Sequence, residues 1–379
     1  MKRILTIIAA ALLLTGAMTA QVKTNNVLDQ MKKELAPDAR TAIWDVRMVN
    51  QSGNSVLVGT VGTMQQSAAI EAGLREHGVK DFKNHLVVLE STVPASKHWA
   101  LVKLSVATLR TQGKHSAEVA TQGLMGQPVH VLDIDGEWAR VQMPDDYIAW
   151  VPVSSLAYKT EAEMATWRSA RRFVVTEYGS RLVTEPKGDE TVSDLVMGNI
   201  LEWRGESGKW LQLATPDGRT GYVLKTEVAE LAGWADQTFD GALIERVARR
   251  MLGSGYLWGG TSTKVTDCSG LVKVCYLANG IIVQRDASQQ ALTGLKIDDW
   301  QEARLGDLLF FGNSKTGRVT HVGIYLRDGR YIHCSGQVKV NSLDPASPDY
   351  LYSPLSISRI DGQIGSRGIT AVKKHPWYF

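Results

Sequence analysis

The amino-acid sequence predicts a multidomain chain in which a small α+β domain and two all-β barrels precede a larger α+β domain. Three observations carry this. The 379 residues, 44% of them hydrophobic, are too many for one core. A set of turn and aromatic residues in the middle of the chain recurs at a constant offset of 72. Beyond Ala235 the pattern changes from short alternating strands to apolar helices followed by further strands.

At the N-terminus, Lys2 and Arg3 precede an apolar run from Ile4 to Leu14 and small residues leading to Ala20. This is the pattern of a secretory signal peptide over 1–20, cleaved after Ala20. The run is shorter than the ~20 residues that span a bilayer, and no later stretch reads as a membrane span, so an exported chain is expected. Lys and Arg total 42 and Asp and Glu 39, and without the first 20 residues the balance is 40 against 39. A near-neutral chain argues against nucleic acid as the main partner. The only cysteines are Cys268, Cys275 and Cys334. An odd number leaves at least one thiol free, and a free thiol kept in an oxidising compartment points to use.

Residues 22–97 read as the small α+β domain. A helical stretch Val27 to Leu35 leads to strands Ala42 to Val49 and Asn54 to Val61, split by the turn-forming Gln51-Ser52-Gly53. Gln65 to His77 is helical and His85 to Leu89 is a further strand. No chemistry is assigned to this domain, and His77 and His85 are read as structural or surface residues.

In the repeat, Met125-Gly126, Gly136, Trp138, Pro144-Asp145 and Val151 return as Met197-Gly198, Gly208, Trp210, Pro216-Asp217 and Val223. Alternating runs joined by turns make each copy a small barrel, over 100–158 and 172–232. Glu161 to Arg172 is a charged, helical linker. The copies differ where a ligand would be met, because Tyr147 falls opposite Arg219 and Trp150 opposite Tyr222. Only the first copy carries Glu118-Val119-Ala120-Thr121 and an exposed-loop aromatic, Tyr147.

In the last domain, 235–379, Leu243, Val247, Ala248 and Met251 fall at helical spacing before Gly253-Ser254-Gly255. Asp267-Cys268-Ser269-Gly270 then opens a second apolar helix, Leu271 to Leu277. A cysteine at a helix start meets unpaired N–H groups and the positive end of the macrodipole. These lower a thiol pKa and can hold an oxyanion. Cys275, two turns deeper, reads as core. A cysteine nucleophile needs a base, and His321 stands in a strand whose alternation puts His321 and Gly323 on one face and Val322 and Ile324 on the other. The turn Asp328-Gly329 brings His333 beside it on the next strand, where it can orient the imidazole. Zinc is the competing chemistry, but neighbouring His333 and Cys334 point to opposite faces and no C-x-x-C or H-x-x-x-H pair exists. No metal or cofactor is expected, and Cys334 reads as a buried neighbour of the site.

Six blocks in order resemble the NlpC-type cell-wall cysteine peptidases. They are Tyr256-Leu257-Trp258-Gly259-Gly260, Asp267-Cys268-Ser269-Gly270-Leu271-Val272, Arg285-Asp286-Ala287-Ser288-Gln289-Gln290, Gly306 to Phe311, His321 to Tyr325 and Tyr331-Ile332-His333. The resemblance covers 235–379 and implies a papain-like catalytic domain with Cys268 as nucleophile, His321 as base, His333 as orienting residue and Tyr256 beside the oxyanion. The two repeats resemble the bacterial SH3-like domains that accompany such enzymes. Members built this way resemble γ-D-glutamyl-L-diamino acid endopeptidases that act on murein peptides with a free N-terminal L-Ala, in cell-wall recycling. By that resemblance Asp267, Glu118 and Tyr147 receive the amine. Trp258, Ser269, Arg285, Asp286 and Ser288 form the pocket wall and the contacts to D-Glu, and a periplasmic location is implied. The alternatives are a hydrolase or amidase on intact peptidoglycan, and a non-catalytic wall-binding protein.

Overall fold

A computed structural model describes residues 22–351 and 353–379. The proposed signal peptide and its cleavage point lie outside the described residues. No helix among those residues is long and apolar enough to cross a membrane. The described residues divide into two compact units, the first made of residues up to Ala95 with Val131–Ile134 and the second of Ser96–His130 with Asp135–Phe379.

In the first unit a helix over 22–35 leads to the antiparallel pair Trp44–Gln51 and Asn54–Val61. Helix Met64–Glu76, capped by Thr63 accepting from the Gln66 N–H, then crosses over to Lys83–Val88, which lies parallel to Asn54–Val61. Leu28, Met31, Leu57, Ile70 and Leu74 make its core. His77 and His85 are both exposed, as surface histidines.

In the second unit the repeat is visible as topology. Strands Pro128–Asp135, Trp138–Gln142 and Ile148–Pro152 return 72 residues later as Ile200–Ser207, Trp210–Ala214 and Thr220–Leu224. Both seven-stranded sheets order their equivalent strands identically. Between them, Glu161–Ser169 is a helix whose capping box pairs Thr160 and Glu163.

From Gly241 the chain builds the α+β domain. Its six-stranded antiparallel sheet runs Leu295–Ile297, Ser356–Arg359, Leu308–Asn313, Arg318–Tyr325, Arg330–Ser335, Gln337–Ser342. Strand alternation gives the sheet two apolar faces. Leu308, Phe310, Val322, Ile324, Ile332 and Cys334 share a core with Leu271, Val272 and Cys275 of helix Cys268–Leu277. Leu309, Phe311, Tyr325 and Tyr331 form the core on the other side.

Candidate active site

Helix Cys268–Leu277 begins at the cysteine itself because Asp267 caps it, its Oδ1 accepting from the Gly270 N–H at 2.7 Å. Gly270 is required here, since a Cβ would fall 1.9 Å from the Gly260 carbonyl oxygen. The Asp267 carboxylate also accepts from Gly259 N–H at 2.9 Å, from Ser269 Oγ at 3.3 Å and from two Arg285 nitrogens at 2.6 and 3.2 Å. Arg285, 1% exposed, donates a further bond to Ser269 Oγ at 2.9 Å. The Asp267–Arg285 pair is therefore a buried, bidentate brace behind the helix start.

Cys268 is 8% exposed, and its sulfur accepts from the backbone N–H groups of Ser269 and Val322. The second of these puts it against the strand at the residue after His321. Helix-start placement predicts a lowered thiol pKa, and the structure reverses that expectation. Burial, with the Asp267 charge next, pushes the thiol up to about 11 against two hydrogen bonds that oppose the shift. His321 moves the other way, to about 4, through burial and the neighbouring His333 and Lys339. Burial thus favours the uncharged form of both groups, thiol and neutral imidazole. Tyr256, half-buried beside Cys268, is also pushed up, first by burial and then by the cysteine.

The two histidines meet as the hairpin predicts, with His321 Nε2 and His333 Nδ1 2.6 Å apart. The chain of contacts continues to a residue the sequence reading did not name. Asn341, on the strand after His333, lies with Oδ1 2.8 Å from His333 Nε2, and its Nδ2 donates to the Asp349 carbonyl at 2.7 Å. A carbonyl only accepts, so Asn341 Oδ1 is the acceptor and His333 carries its proton on Nε2. His333 Nδ1 then accepts from His321 Nε2–H. His321 is left with its lone pair on Nδ1, the form a general base needs. The available signal was the alternation Val338, Lys339, Val340, Asn341 after Gly336, which puts Lys339 and Asn341 on one face.

The first repeat copy closes on this domain. Gln122 N–H donates to Thr261 Oγ1 at 3.0 Å and Thr261 N–H to Gln122 Oε1 at 2.8 Å. Gly259, at φ +85°, lies so close that a Cβ would sit 2.6 Å from the Val119 carbonyl oxygen. Lys273 of the helix pairs with Asp145 at 2.5 Å. Tyr147 is thereby not the exposed aromatic that its loop predicts. It is 8% exposed, and its hydroxyl donates to Asp286 Oδ2 at 3.2 Å. Asp286 caps the short helix Ala287–Gln290 that carries the half-buried Ser288. The equivalent Arg219 of the second copy is turned to its own Asp217 at 3.0 Å. Glu118 is exposed, beside the Val119–Gly259 contact, and its carboxylate has no partner among the described residues. Trp258 is 59% exposed at the same loop. The assembled groups are a thiol, a tautomer-fixed imidazole, helix-start amides and an open carboxylate, a set suited to acyl transfer from an amide whose substrate carries a cation.

Residues 253–354 match the NlpC/P60 family and residues 109–156 match the bacterial dipeptidyl-peptidase Sh3 domain. The chain is 29% identical over 266 residues to dipeptidyl-peptidase 6 of Lysinibacillus sphaericus, which covers 66% of this chain and 94% of that protein. It is 28% identical over 227 residues to a γ-D-glutamyl-L-lysine dipeptidyl-peptidase of Bacillus cereus, covering 57% and 67%. A third relative, named "Probable endopeptidase" in Corynebacterium glutamicum, is 30% identical over 208 residues, 54% of this chain and 90% of the relative. The fold is shared with the crystal structure of an NlpC/P60 family protein from Bacillus cereus, with TM-score 0.62 and 24% identity over 69% of this chain and 99% of that one.

Proposed function

This chain belongs to the NlpC/P60 family, and on that footing we propose that it is a cysteine endopeptidase which cuts the γ-D-glutamyl-L-diamino acid bond of murein peptides with a free N-terminal L-Ala. The observation that carries the reading is the closure of the first repeat copy over the helix start, with the Glu118 carboxylate open at the junction. An amine that pairs with Glu118 must be charged, and the acylated L-Ala nitrogen of a glycan-linked peptide is not. Trp258, Ser288 and the Tyr147–Asp286 pair wall the pocket, while Asp267 and Arg285, engaged with one another and with Ser269, hold its shape. The names of the dipeptidyl-peptidase relatives support the same bond.

In the proposed reaction His321 Nδ1 takes the Cys268 proton as sulfur bonds to the γ-carbonyl carbon. Amides at the helix start and the Tyr256 hydroxyl stabilise the oxyanion. The His321 imidazolium then gives its proton to the diamino-acid nitrogen, the C–N bond breaks, and a thioester remains. Water attacks that thioester with His321 as base, releasing L-Ala-D-Glu and the Cys268 thiol. A role in recycling in the periplasm is part of the proposal, supported by the Lys2-Arg3 apolar N-terminus.

Mass spectrometry of products from L-Ala-γ-D-Glu-diaminopimelate, its N-acetyl form and intact murein, with wild type and Cys268→Ala, tests the reading. L-Ala-D-Glu from the free-amine peptide alone, abolished in the variant, is expected. Cleavage of murein or of the blocked peptide overturns the substrate assignment.

A further inference from the structure

The cleft has a second open charge, of opposite sign. Lys339 pairs directly with His333 across the antiparallel strands, so both side chains stand on one face with Asn341, two residues on. It is half-buried, and among the described residues its ammonium has no ion-pair or hydrogen-bond partner. Most of the cations near the site are committed: Arg285 to Asp267, Lys273 to Asp145, and Arg359 to Asp307. The charge of Lys339 reaches the site, because it helps to hold both His321 and His333 below their ordinary imidazole range. A cation beside a general base is a liability for the chemistry unless something anionic meets it.

On the proposed reading, the γ-glutamyl portion occupies the Glu118 and Tyr147 side and the departing nitrogen takes its proton from His321. The leaving residue therefore lies toward the histidine strands. From this placement we infer that Lys339 is a specificity-determining residue that binds a carboxylate of the leaving diamino acid. The inference rests on the function proposed above and adds to it a substrate polarity. Glu118 meets an ammonium at one end and Lys339 a carboxylate at the other, so the cleft fits a short zwitterion better than a chain continued by an amide. The carboxylate can come from the end of a tripeptide or from the side chain of diaminopimelate.

The test uses the full chain and four peptides, L-Ala-γ-D-Glu followed by L-Lys, L-Lys amide, diaminopimelate or diaminopimelate α-amide. Wild type should favour acid over amide by about tenfold or more in kcat/KM, the preference residing in KM and weakening with ionic strength. Lys339→Met should erase that preference and Lys339→Arg should keep it. If the amide penalty appears with L-Lys but not with diaminopimelate, the side-chain carboxylate serves as well as the terminal one. Equal cleavage of acids and amides by wild type, or a preference undiminished in Lys339→Met, overturns the inference and leaves the γ-glutamyl reading intact. Absence of cleavage of all four overturns both.

Discussion

Removing the Asn341 side-chain acceptor by Asn341→Leu should cost activity through a proton on the wrong nitrogen two residues away. In the wild type the Asp349 carbonyl orients Asn341, Asn341 holds His333 as the Nε2–H form, and His333 holds His321 in the same form. The His333 ring has no exposed surface, so water cannot take over from Asn341. The variant must either leave the His333 Nε2–H unpaired in the interior or move its proton to Nδ1. In the second case it faces His321 Nε2–H donor to donor, and His321 escapes only by protonating Nδ1, the atom needed as base. Restoring the productive arrangement costs about 1–3 kcal/mol, the penalty of an unsatisfied buried donor, or about 5- to 150-fold in kcat/KM. The assay is kcat/KM on the free tripeptide, with nitrogen-15 NMR of the histidine rings reporting the tautomers and thermal unfolding checking the fold. Asn341→Leu within twofold of wild type, or an unchanged His321 tautomer, refutes the relay.

Asn341→Asp retains the acceptor and adds a negative charge, so it should remain active while raising the His321 pKa from about 4. The acid limb of kcat/KM should move to higher pH by the same amount, read from a pH profile. In the wild type, the unfolded chain protonates this imidazole near its ordinary 6.5 and the folded chain only near 4. The unfolded state binds more protons between those values, so stability should fall as pH drops from about 6.5 through 4, measured by denaturant titration. Glu118→Gln and Tyr147→Ala should each raise KM for the free-amine tripeptide by about tenfold and narrow its advantage over the acetylated form. An undiminished advantage in Tyr147→Ala would sink the lid role of the first copy. Gly259→Ala combines a left-handed backbone, about 1–2 kcal/mol for a non-glycine residue, with overlap on Val119. It should lower the melting temperature and the same free-amine preference together.

Cys268, His321 and His333 were legible because each sits in a local pattern that dictates its own placement, a capped helix start and two facing strands. The two copies were legible because a repeat preserves its turns, and an offset of 72 in sequence became an identical strand order. The burial of Tyr147 was not, because its hydroxyl meets Asp286, 139 residues away in sequence, a contact its own hairpin does not foretell. The thiol pKa failed for a related reason. Helix-start amides are local and favour the anion, whereas the burial that outweighs them is made by the whole domain. Asn341 carries no chemistry of its own; alternation puts it on the face of Lys339, and the register of Lys339 with His333 brings that face to the second histidine.

The hydrogen bonds between Gln122 and Thr261 also impose an order in time. Synthesis proceeds from the N-terminus, so residues 99–159, which supply Gln122 and Val119 to the loop before Cys268, exist before Cys268 is added and long before His321 and His333. Cys268, His321 and His333 therefore come together only after the barrel that packs against their domain has been made. An accessible, unselective thiol protease is thus never an obligatory stage in the making of this chain.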